Sequence, residues 1–338
     1  MASYPGQLPA GIPAAPQLEW RSLSHDLVGD WFPLLDALHR ADQRAEHLGK
    51  DDLHDELTPA WLDLERDTRI GFDAGGVARA FGVVELRPAD VTLLRAYCWG
   101  GVHPQWRGRG IGRALLDWQC RRAMEQVAAR RAQLGERTPA ILRAEVPGGA
   151  GATAALLGRA GLRQVRVSLI MRRNLDRPVE RLAAPDGLTM VPYDVSMDEQ
   201  IRTAHNTFFA GHYGFQPWSA EAWHQWATGH RGFRPDWSFV VLARAEIAGY
   251  IVCAAYPEEW AARGFTEGFI TKVGTAPAWR GRGIASSLLN RAMTAFAADG
   301  MQYAGLDVDA DNPTGALRLY RRLGFEEWQV VGLWEMPL

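Results

Sequence analysis

The chain has 338 residues, of which 47% are hydrophobic and 22% charged, with a formal net charge of −2. This length fits about two globular domains, and the near-neutral charge excludes a field strong enough to recruit nucleic acid or an anionic membrane. No apolar run approaches the ~20 residues of a membrane helix and no signal-peptide pattern opens the chain, so we expect a cytoplasmic protein without membrane or nucleic-acid partners.

The first segment, residues 1–16, is rich in Pro, Ala and Gly and is predicted to be a flexible lead-in. Three cysteines follow, Cys98, Cys120 and Cys253, and an odd number without CxxC spacing cannot pair completely. Because Cys98 and Cys253 lie in apolar runs, we expect them to be buried free thiols.

An internal repeat organises the rest of the chain. Residues 102–116 read VHPQWRGRGIGRALL and residues 275–289 read TAPAWRGRGIASSLL. Each copy is followed by a similar closing phrase, GRAGLRQV at 158–165 and RRLGFEEW at 321–328. The repetition predicts duplicated domains at 17–174 and 188–338, joined by a polar linker at 175–187. The first copy is longer between loop and closing phrase, which predicts an insertion around 125–138.

The second half shows an α/β pattern. Apolar runs predict strands at 239–243, 249–255, 269–273 and 303–308. Ile284, Leu288, Ala292 and Phe296 recur at helical spacing and predict a buried helix face. A further helix is predicted at 314–323, ended by Gly324.

The repeated loop is suited to bind an anion. Its glycines allow a tight turn and close approach of a ligand, and the helix that follows points free N–H groups and a positive dipole end at the loop. Alternating arginines add positive charge, so a pyrophosphate is the expected ligand. Neither copy fits a P-loop, because no Lys follows the glycines, and the third Gly stands one position early for a dinucleotide-binding GxGxxG.

The pattern R-x-x-G-x-[GA], at Arg107–Gly112 and Arg280–Ala285, resembles the pyrophosphate loop of the GNAT N-acetyltransferase superfamily. The segment DADNPTGALRLYRRLGFE at 309–326 resembles the superfamily's closing helix. The resemblance implies two tandem GNAT domains, each a mixed, mostly antiparallel sheet flanked by helices, and acetyl-CoA as co-substrate. The tandem arrangement is similar to the mycothiol synthase family, whose members acetylate an aminosugar-linked cysteine.

The resemblance also implies roles for individual residues. In the second domain, the loop backbone would hold the pyrophosphate, the strand edge would pair with the pantetheine arm, and an Asn would contact that arm. The cofactor-binding residues implied in the second domain are Val273, Gly274, Thr275, Arg280, Gly281, Arg282, Gly283, Ile284, Ala285 and Asn312. Those implied in the first domain are Arg107, Gly108, Arg109, Gly110, Ile111 and Gly112.

Tyr320 matches the superfamily's general acid. Its ordinary pKa of about 10 lies above a thiol's of about 8.5, so it holds a proton for the leaving sulfur at neutral pH. For the general base, Glu267 is the first choice because it lies on the same predicted strand face as Phe269 and Thr271, with Asp307 and Asp309 in reserve. An acceptor-side wall is expected from aromatic and histidine residues that are otherwise core: His205, His212, Trp218, Trp223, Trp226 and Trp237.

The first domain keeps the loop and lacks an evident acid. Leu157 stands where Tyr320 stands, Gly149 opposite Asn312, and Leu94 opposite Glu267. We therefore expect a non-catalytic first domain. Asp307, Asp309 and Asp311 resemble a calcium loop only in part, since its required Gly and Glu are replaced by Asn312 and Arg318, and no metal is expected.

Three functions remain open. Acetylation of a small-molecule primary amine is favoured because a cleft between two such domains suits a compact ligand. The acceptor is a cysteinyl aminosugar or another amine-bearing antibiotic or metabolite. The alternatives are acetylation of a protein or peptide amine and a non-catalytic acyl-CoA sensor. The acceptor and the oligomeric state do not follow from the sequence.

Overall fold

A computed structural model describes residues 11–42, 48–148, 151–179, 182, 185–312 and 314–338. The chain forms two compact units. Unit 1 runs to Arg166 and also includes Val331–Leu338, whereas unit 2 is Val167–Val330. These bounds differ from the predicted boundary at 174–187, because each unit takes one edge strand from the other half of the sequence.

Both units are built from strands and helices that alternate along the chain. The strands are β1 Glu19–Arg21, β2 Thr68–Phe72, β3 Ala78–Leu86, β4 Leu94–Val102, β5 Ala140–Pro147, β6 Arg163–Asn174, β7 Thr189–Pro192, β8 Phe239–Ala243, β9 Glu246–Ala255, β10 Glu267–Thr275, β11 Tyr303–Asp309 and β12 Glu326–Pro337. The helices are α1 Val28–Asp42, α2 Lys50–Glu56, α3 Leu64–Asp67, α4 Ile111–Leu134, α5 Ala152–Arg159, α6 Asp198–Phe209, α7 Ala220–Trp223, α8 Pro257–Arg263, α9 Ile284–Ala298 and α10 Ala316–Arg322.

The two units have matching sheets. Unit 1 has the strand order β1-β2-β3-β4-β5-β12, to which β12 contributes its second half, and unit 2 has the order β6-β11-β10-β9-β8-β7. Within each sheet only one pair is parallel, β4 with β5 and β10 with β11. The predicted mixed, mostly antiparallel sheet flanked by helices is confirmed.

The core of unit 2 follows the predicted helix face. Ile284, Leu288, Ala292 and Phe296 of α9 are all buried against the sheet. The four predicted strands are present, and β9 begins three residues earlier than expected. The final helix begins at Ala316 rather than at 314, because Asn312 Oδ1 accepts hydrogen bonds from the Thr314 backbone and hydroxyl and holds the chain in a turn there.

Unit 1 explains the length difference between the repeats. Helix α4 has 24 residues and its counterpart α9 has 15, so the insertion is a helix extension. Cys98 and Cys253 are buried free thiols, as predicted. The predicted flexible segment lies largely outside the described residues, but Ala15 within it is buried against β3 and the start of α4.

A buried ion pair fastens β12 to unit 1. Arg143 Nε donates to Glu335 Oε1 at 2.9 Å, and the Glu335 side chain is 9% exposed. We predict that Glu335→Gln lowers the free energy of unfolding of unit 1 by about 3 kcal/mol, because the buried guanidinium loses its counter-charge.

Glu327 supplies the matched control on the same strand. It is 43% exposed in a surface ion pair with Arg321, so Glu327→Gln is expected to change stability by less than about 0.5 kcal/mol. Hydrogen exchange of the β5 amides measures the effect locally. Equal protection of β5 in both variants would contradict the prediction.

Candidate active site

The repeated loop of unit 2 forms an open anion cradle in front of α9. Gly281 and Gly283 have φ of 77° and 84°, a region that glycine enters without steric cost. No atom lies within 4 Å of a Cβ built on either glycine, so their surroundings are open to a ligand. The helix begins at Ile284, with Gly283 as N-cap, so its free N–H groups and positive dipole end lie at the loop.

The loop of unit 1 has the same backbone conformation, but one of its arginines is paired with a carboxylate. Gly108 and Gly110 have φ of 77° and 81°, and α4 begins directly after Gly110. There, however, Arg107 forms a salt bridge of 2.8 Å with Asp42. The equivalent Arg280 donates instead to neutral carbonyls, those of Thr275 at 3.4 Å and Phe208 at 3.0 Å. The loop of unit 2 therefore keeps more positive charge for an anion.

The parallel strands β10 and β11 separate above this site. Their pairing runs from Glu267 with Tyr303 to Ile270 with Leu306, whereas β10 continues to pair with β9 as far as Thr275. Beyond Ile270, the second edge of β10 therefore has no strand partner in the described part of the chain. The Thr275 hydroxyl is also buried without a hydrogen-bond partner among these residues. This free edge has the hydrogen-bonding groups that an extended ligand arm requires.

A β-bulge lies where the strands separate. The register of β10 against β9 shifts between Ile270 and Lys272, so Thr271 is an extra residue. Ile270 packs into the core beside α9, and Lys272 turns to the opposite face, where its Nζ lies 5.2 Å from the centre of the Trp218 ring. Strict alternation along the strand would have placed Lys272 and Ile270 on one face, and sequence reasoning missed Lys272 for this reason.

Asp307 follows Leu306, the last residue of β11 that pairs with β10, and lies on the same face of the sheet as Lys272. Its side chain is exposed, but the protein atoms around its carboxylate displace part of the surrounding water. This desolvation raises the pKa of Asp307, and the charge of Lys272 opposes the rise. Burial likewise lowers the pKa of Lys272, opposed by Asp307. The ammonium donates to the Thr271 carbonyl at 3.1 Å. We call the gap between β10 and β11 beyond Ile270 the opening. It is lined by one anion, Asp307, and one cation, Lys272, each in surroundings that disfavour its charge.

Tyr320 lies on α10 and is 6% exposed. Burial and the nearby Asp307 carboxylate raise the pKa of its phenol above the ordinary value of about 10. The hydroxyl is therefore protonated at neutral pH, as a proton donor for a departing thiolate must be.

Glu267 has a different environment from the one expected of a base. It is 5% exposed, and its two oxygens accept from Arg172 at 2.8 Å and from Arg263 at 3.0 Å. Arg172 is itself packed against aromatic rings, 3.4 Å from the centre of Trp328. With both oxygens held by guanidinium groups, Glu267 has the contacts of a structural ion pair. Asp309 is half-buried and accepts from the Asp311 amide at 2.9 Å, whereas Asp307 is exposed.

The predicted acceptor wall is divided by the sheet. His205, Trp218 and Trp223 pack together on the side of Lys272, with ring centres 5.0 to 6.0 Å apart, and Trp218 also contacts Trp226 at 5.9 Å. Burial, with a contribution from Lys272, lowers the pKa of His205 to about 3, and its Nδ1 shares a hydrogen bond of 2.6 Å with the Tyr250 hydroxyl.

The remaining members of that set lie elsewhere. Trp237 is in the core on the opposite side of the sheet, packed on Phe296, and its indole donates to Asp299 at 2.7 Å. The His212 ring packs at a tilt against Phe209 beside α6, with the ring centres 4.6 Å apart. The side chain of Asn312, expected to contact the cofactor arm, uses its oxygen for its own turn.

The same positions in unit 1 are mostly apolar. Leu157 replaces Tyr320. The Leu157 carbonyl accepts from the amide of Leu162, just as the Tyr320 carbonyl accepts from the amide of Phe325. Trp99, three residues before the end of β4, stands where Lys272 stands in β10 and packs on Trp31 and Phe81.

The carboxylate alone persists in unit 1. Glu145 is the exposed residue after three buried ones in β5, as Asp307 is in β11.

The bulge in β10 also corrects one predicted pair of equivalent residues in the two units. Leu94 packs toward α4, whereas Glu267 lies on the other face of its sheet, so Arg95 and not Leu94 is the counterpart of Glu267.

Comparison with known proteins identifies the fold and the chemistry. Residues 199–325 match the model of the Acetyltransferase (GNAT) family. A mycothiol acetyltransferase of Thermomonospora curvata is 30% identical over 246 residues, which cover 70% of this chain and 72% of that protein. The chain belongs to the GNAT acetyltransferase family. It is accordingly an N-acetyltransferase that uses an acyl-CoA.

Two solved structures share the whole architecture. A GCN5-related N-acetyltransferase from Sphaerobacter thermophilus has a TM-score of 0.75 at 23% identity, with 96% of each chain covered. A tandem GNAT protein from the clavulanic acid biosynthesis pathway has a TM-score of 0.67 at 17% identity, covering 95% of this chain and 98% of that one. The predicted tandem GNAT architecture is confirmed.

The residues present in unit 2 fit an acyl-CoA. The open glycine cradle and uncompensated Arg280 suit a pyrophosphate, and the unpaired edge of β10 with the buried Thr275 hydroxyl suits an amide-containing arm. Within the described ranges, His, Cys, Asp and Glu side chains form no group that could hold a metal ion. The helices there include none that is both long and apolar enough to cross a bilayer.

We predict that Glu267→Gln lowers stability and spares turnover. The amide leaves Arg172 and Arg263 without full counter-charge, which is expected to cost about 3 kcal/mol of unfolding free energy. Because both Glu267 oxygens already accept from guanidinium groups, we expect no role for Glu267 in proton transfer and a kcat within about threefold of the parent.

Glu246→Gln, at the exposed start of β9, is the control and is expected to change neither quantity. Chemical denaturation and product formation by mass spectrometry are measured on the same preparations. A large loss of kcat in a Glu267→Gln protein of unchanged stability would restore Glu267 as the base.

Proposed function

We propose that unit 2 transfers an acetyl group from acetyl-CoA to the primary amine of a small molecule. The observation that carries the proposal is the point where β10 leaves β11, with Lys272 and Asp307 on one face of the sheet and Tyr320 packed in the core on the other. These residues supply a proton acceptor, a fixed cation and a proton donor next to the edge that fits the acyl-CoA arm.

Asp307, a backbone N–H of β10 and Tyr320 each have one role in the transfer. The acceptor amine transfers a proton to the Asp307 carboxylate and its nitrogen bonds to the thioester carbonyl carbon. A backbone N–H of Val273–Thr275 faces the developing oxyanion, a type of contact worth roughly 10²–10³ in rate. The carbon–sulfur bond then breaks, and the Tyr320 hydroxyl donates its proton to the thiolate.

The acceptor is proposed from the relatives and from the site. Relatives named mycothiol acetyltransferase favour acetyl as the acyl group and a cysteinyl aminosugar as one candidate acceptor. Amine-bearing metabolites and antibiotics are the other candidate acceptors, because Asp307 can accept a proton from any primary amine that reaches the opening. The half-buried Trp218, which packs on the buried His205, is expected to limit the acceptor to a compact group.

Unit 1 is proposed to be a non-catalytic support. Leu157 has no proton to donate, Trp99 occupies the position of Lys272, and Asp42 compensates Arg107 in its loop. The first loop would then bind acetyl-CoA weakly or serve only to shape the turn.

Replacement of Tyr320 tests the proposal directly. Tyr320→Phe removes the proton donor and is expected to lower kcat by about 100-fold or more, because general acid catalysis contributes that much. Tyr97→Phe makes the same change in unit 1 and is expected to leave kcat unaltered. Acetylated product is quantified by mass spectrometry across a panel of amines. Turnover that survives Tyr320→Phe would place the reaction elsewhere, unit 1 included.

The pH dependence tests Asp307. Since only the ionised carboxylate accepts a proton, activity is expected to fall as the pH drops through the pKa of Asp307, which burial places above the ordinary value of about 3.9. Asp307→Asn is expected to remove this acid limb together with about 100-fold of kcat.

Two acceptors with different amine pKa values separate the enzyme's limb from the acceptor's own ionisation. The limb that is the same for both acceptors belongs to the protein. If that limb persists in Asp307→Asn, another group is the base.

A further inference from the structure

Lysine is scarce in this chain, and one of the few stands in the site. The sequence has two lysines, Lys50 and Lys272, whereas its other basic residues are arginines. Lys50 is exposed near the Phe32 ring in unit 1. Lys272 is partly buried at the opening beside β10. A compact ammonium with three donors differs from the planar arginine fork used elsewhere, and it suits a small space with a single point of negative charge.

The contacts of Lys272 leave room for a ligand. Its ammonium donates to one carbonyl, that of Thr271, and lies over the Trp218 ring. The charge of Asp307 raises the pKa of Lys272. On neighbouring elements, burial and then the charge of Lys272 lower the pKa of His205 and of His230. A partly buried ammonium with one protein hydrogen bond is stabilised by an additional anion.

Resting on the proposed function, we infer that the acceptor is an α-amino acid with a free carboxylate. Its ammonium approaches Asp307, which takes the proton, and its carboxylate accepts from Lys272. Each charge of the ligand is opposite in sign to the side chain that it meets, so the ammonium offsets the charge of Asp307 and the carboxylate offsets that of the partly buried Lys272. The carboxylate stays bound to Lys272 through the reaction. The ammonium gives one proton to Asp307, the resulting amine bonds to the acetyl carbon, and Tyr320 protonates the leaving thiolate. The second nitrogen proton then passes to the Tyr320 phenolate, which leaves the amide with one N–H.

Charge balance separates this acceptor from its amide. The opening has one positive and one negative side chain, so a zwitterion leaves it neutral overall. An amine whose neighbouring carboxyl is amidated or missing adds one positive charge beside Lys272 when it binds as the ammonium. Like charge in a partly desolvated site is costly, so such amines are expected to bind poorly.

The first experiment compares matched acceptors. A panel of L-amino acids, each with its carboxamide and its decarboxylated amine, is assayed with acetyl-CoA together with a cysteinyl aminosugar. The free amino acid is expected to exceed its amide by roughly 100-fold in kcat/KM, as for a truncated buried charge pair. In Lys272→Met this preference should fall to within about threefold, whereas Lys50→Met keeps it.

Lysine NMR gives a readout that does not depend on turnover. With ¹³C-lysine incorporated, the protein shows two Cε signals, which Lys50→Met assigns. Addition of the free amino acid is expected to shift the Lys272 signal and leave that of Lys50 in place, and the carboxamide is expected to shift neither.

The outcomes separate the two claims. Acetylation of the amide, the amine or the cysteinyl aminosugar as efficiently as of the amino acid overturns the carboxylate inference and leaves the transferase proposal standing. Acetylation of no amine, with a Lys272 signal that still responds only to carboxylate-bearing ligands, overturns the proposed reaction and retains the binding site. A Lys272 signal that ignores every amino acid overturns the inference.

Discussion

The separation of β10 from β11 beyond Ile270 is the constraint on which the site depends. A single extra residue, Thr271, shifts the register of β10 relative to the strands around it. The same event leaves a backbone edge unpaired, turns Lys272 away from the core and exposes Asp307 at the end of the shared pairing. Binding groups for the acyl donor and charged groups for the acceptor therefore arise together, from one departure from regular sheet geometry.

What the sequence predicted well was local. The glycine loops require positive φ at fixed positions, and the helix after them has a clear apolar period, so loop, helix and the position of Tyr320 followed from short segments. Sequence reasoning favoured Glu267 as the base because it did not detect the ion pairs of this residue. One partner, Arg172, lies 95 residues away, where no local pattern indicates it, although the other, Arg263, is only four residues away. Lys272 was missed because a bulge reverses the alternation on which the strand argument relied.

The two units separate the determinants of cofactor shape from those of chemistry. Their loops have nearly equal glycine dihedral angles and stack an arginine on a tryptophan at 4.5 and 4.7 Å. The backbone of an anion site thus persists where Trp99 and Leu157 replace Lys272 and Tyr320. A repeat detected by its loop alone says that two such turns exist, and a few side chains on neighbouring elements decide what each can do.

The distribution of strands between the units determines when each sheet can be completed during synthesis. Arg143 and Glu335, which join β5 to β12, are 192 residues apart, and Ser168 of β6 bonds to Val308 of β11 across 140 residues. While the chain leaves the ribosome, β5 therefore waits with an open edge until the last residues emerge, and β6 waits for most of unit 2. Unpaired edges invite association with other chains. Folding of the nascent chain thus depends on the prompt arrival of β12, and a chain cut near Val330 would leave residues up to Arg166 without the last strand of unit 1.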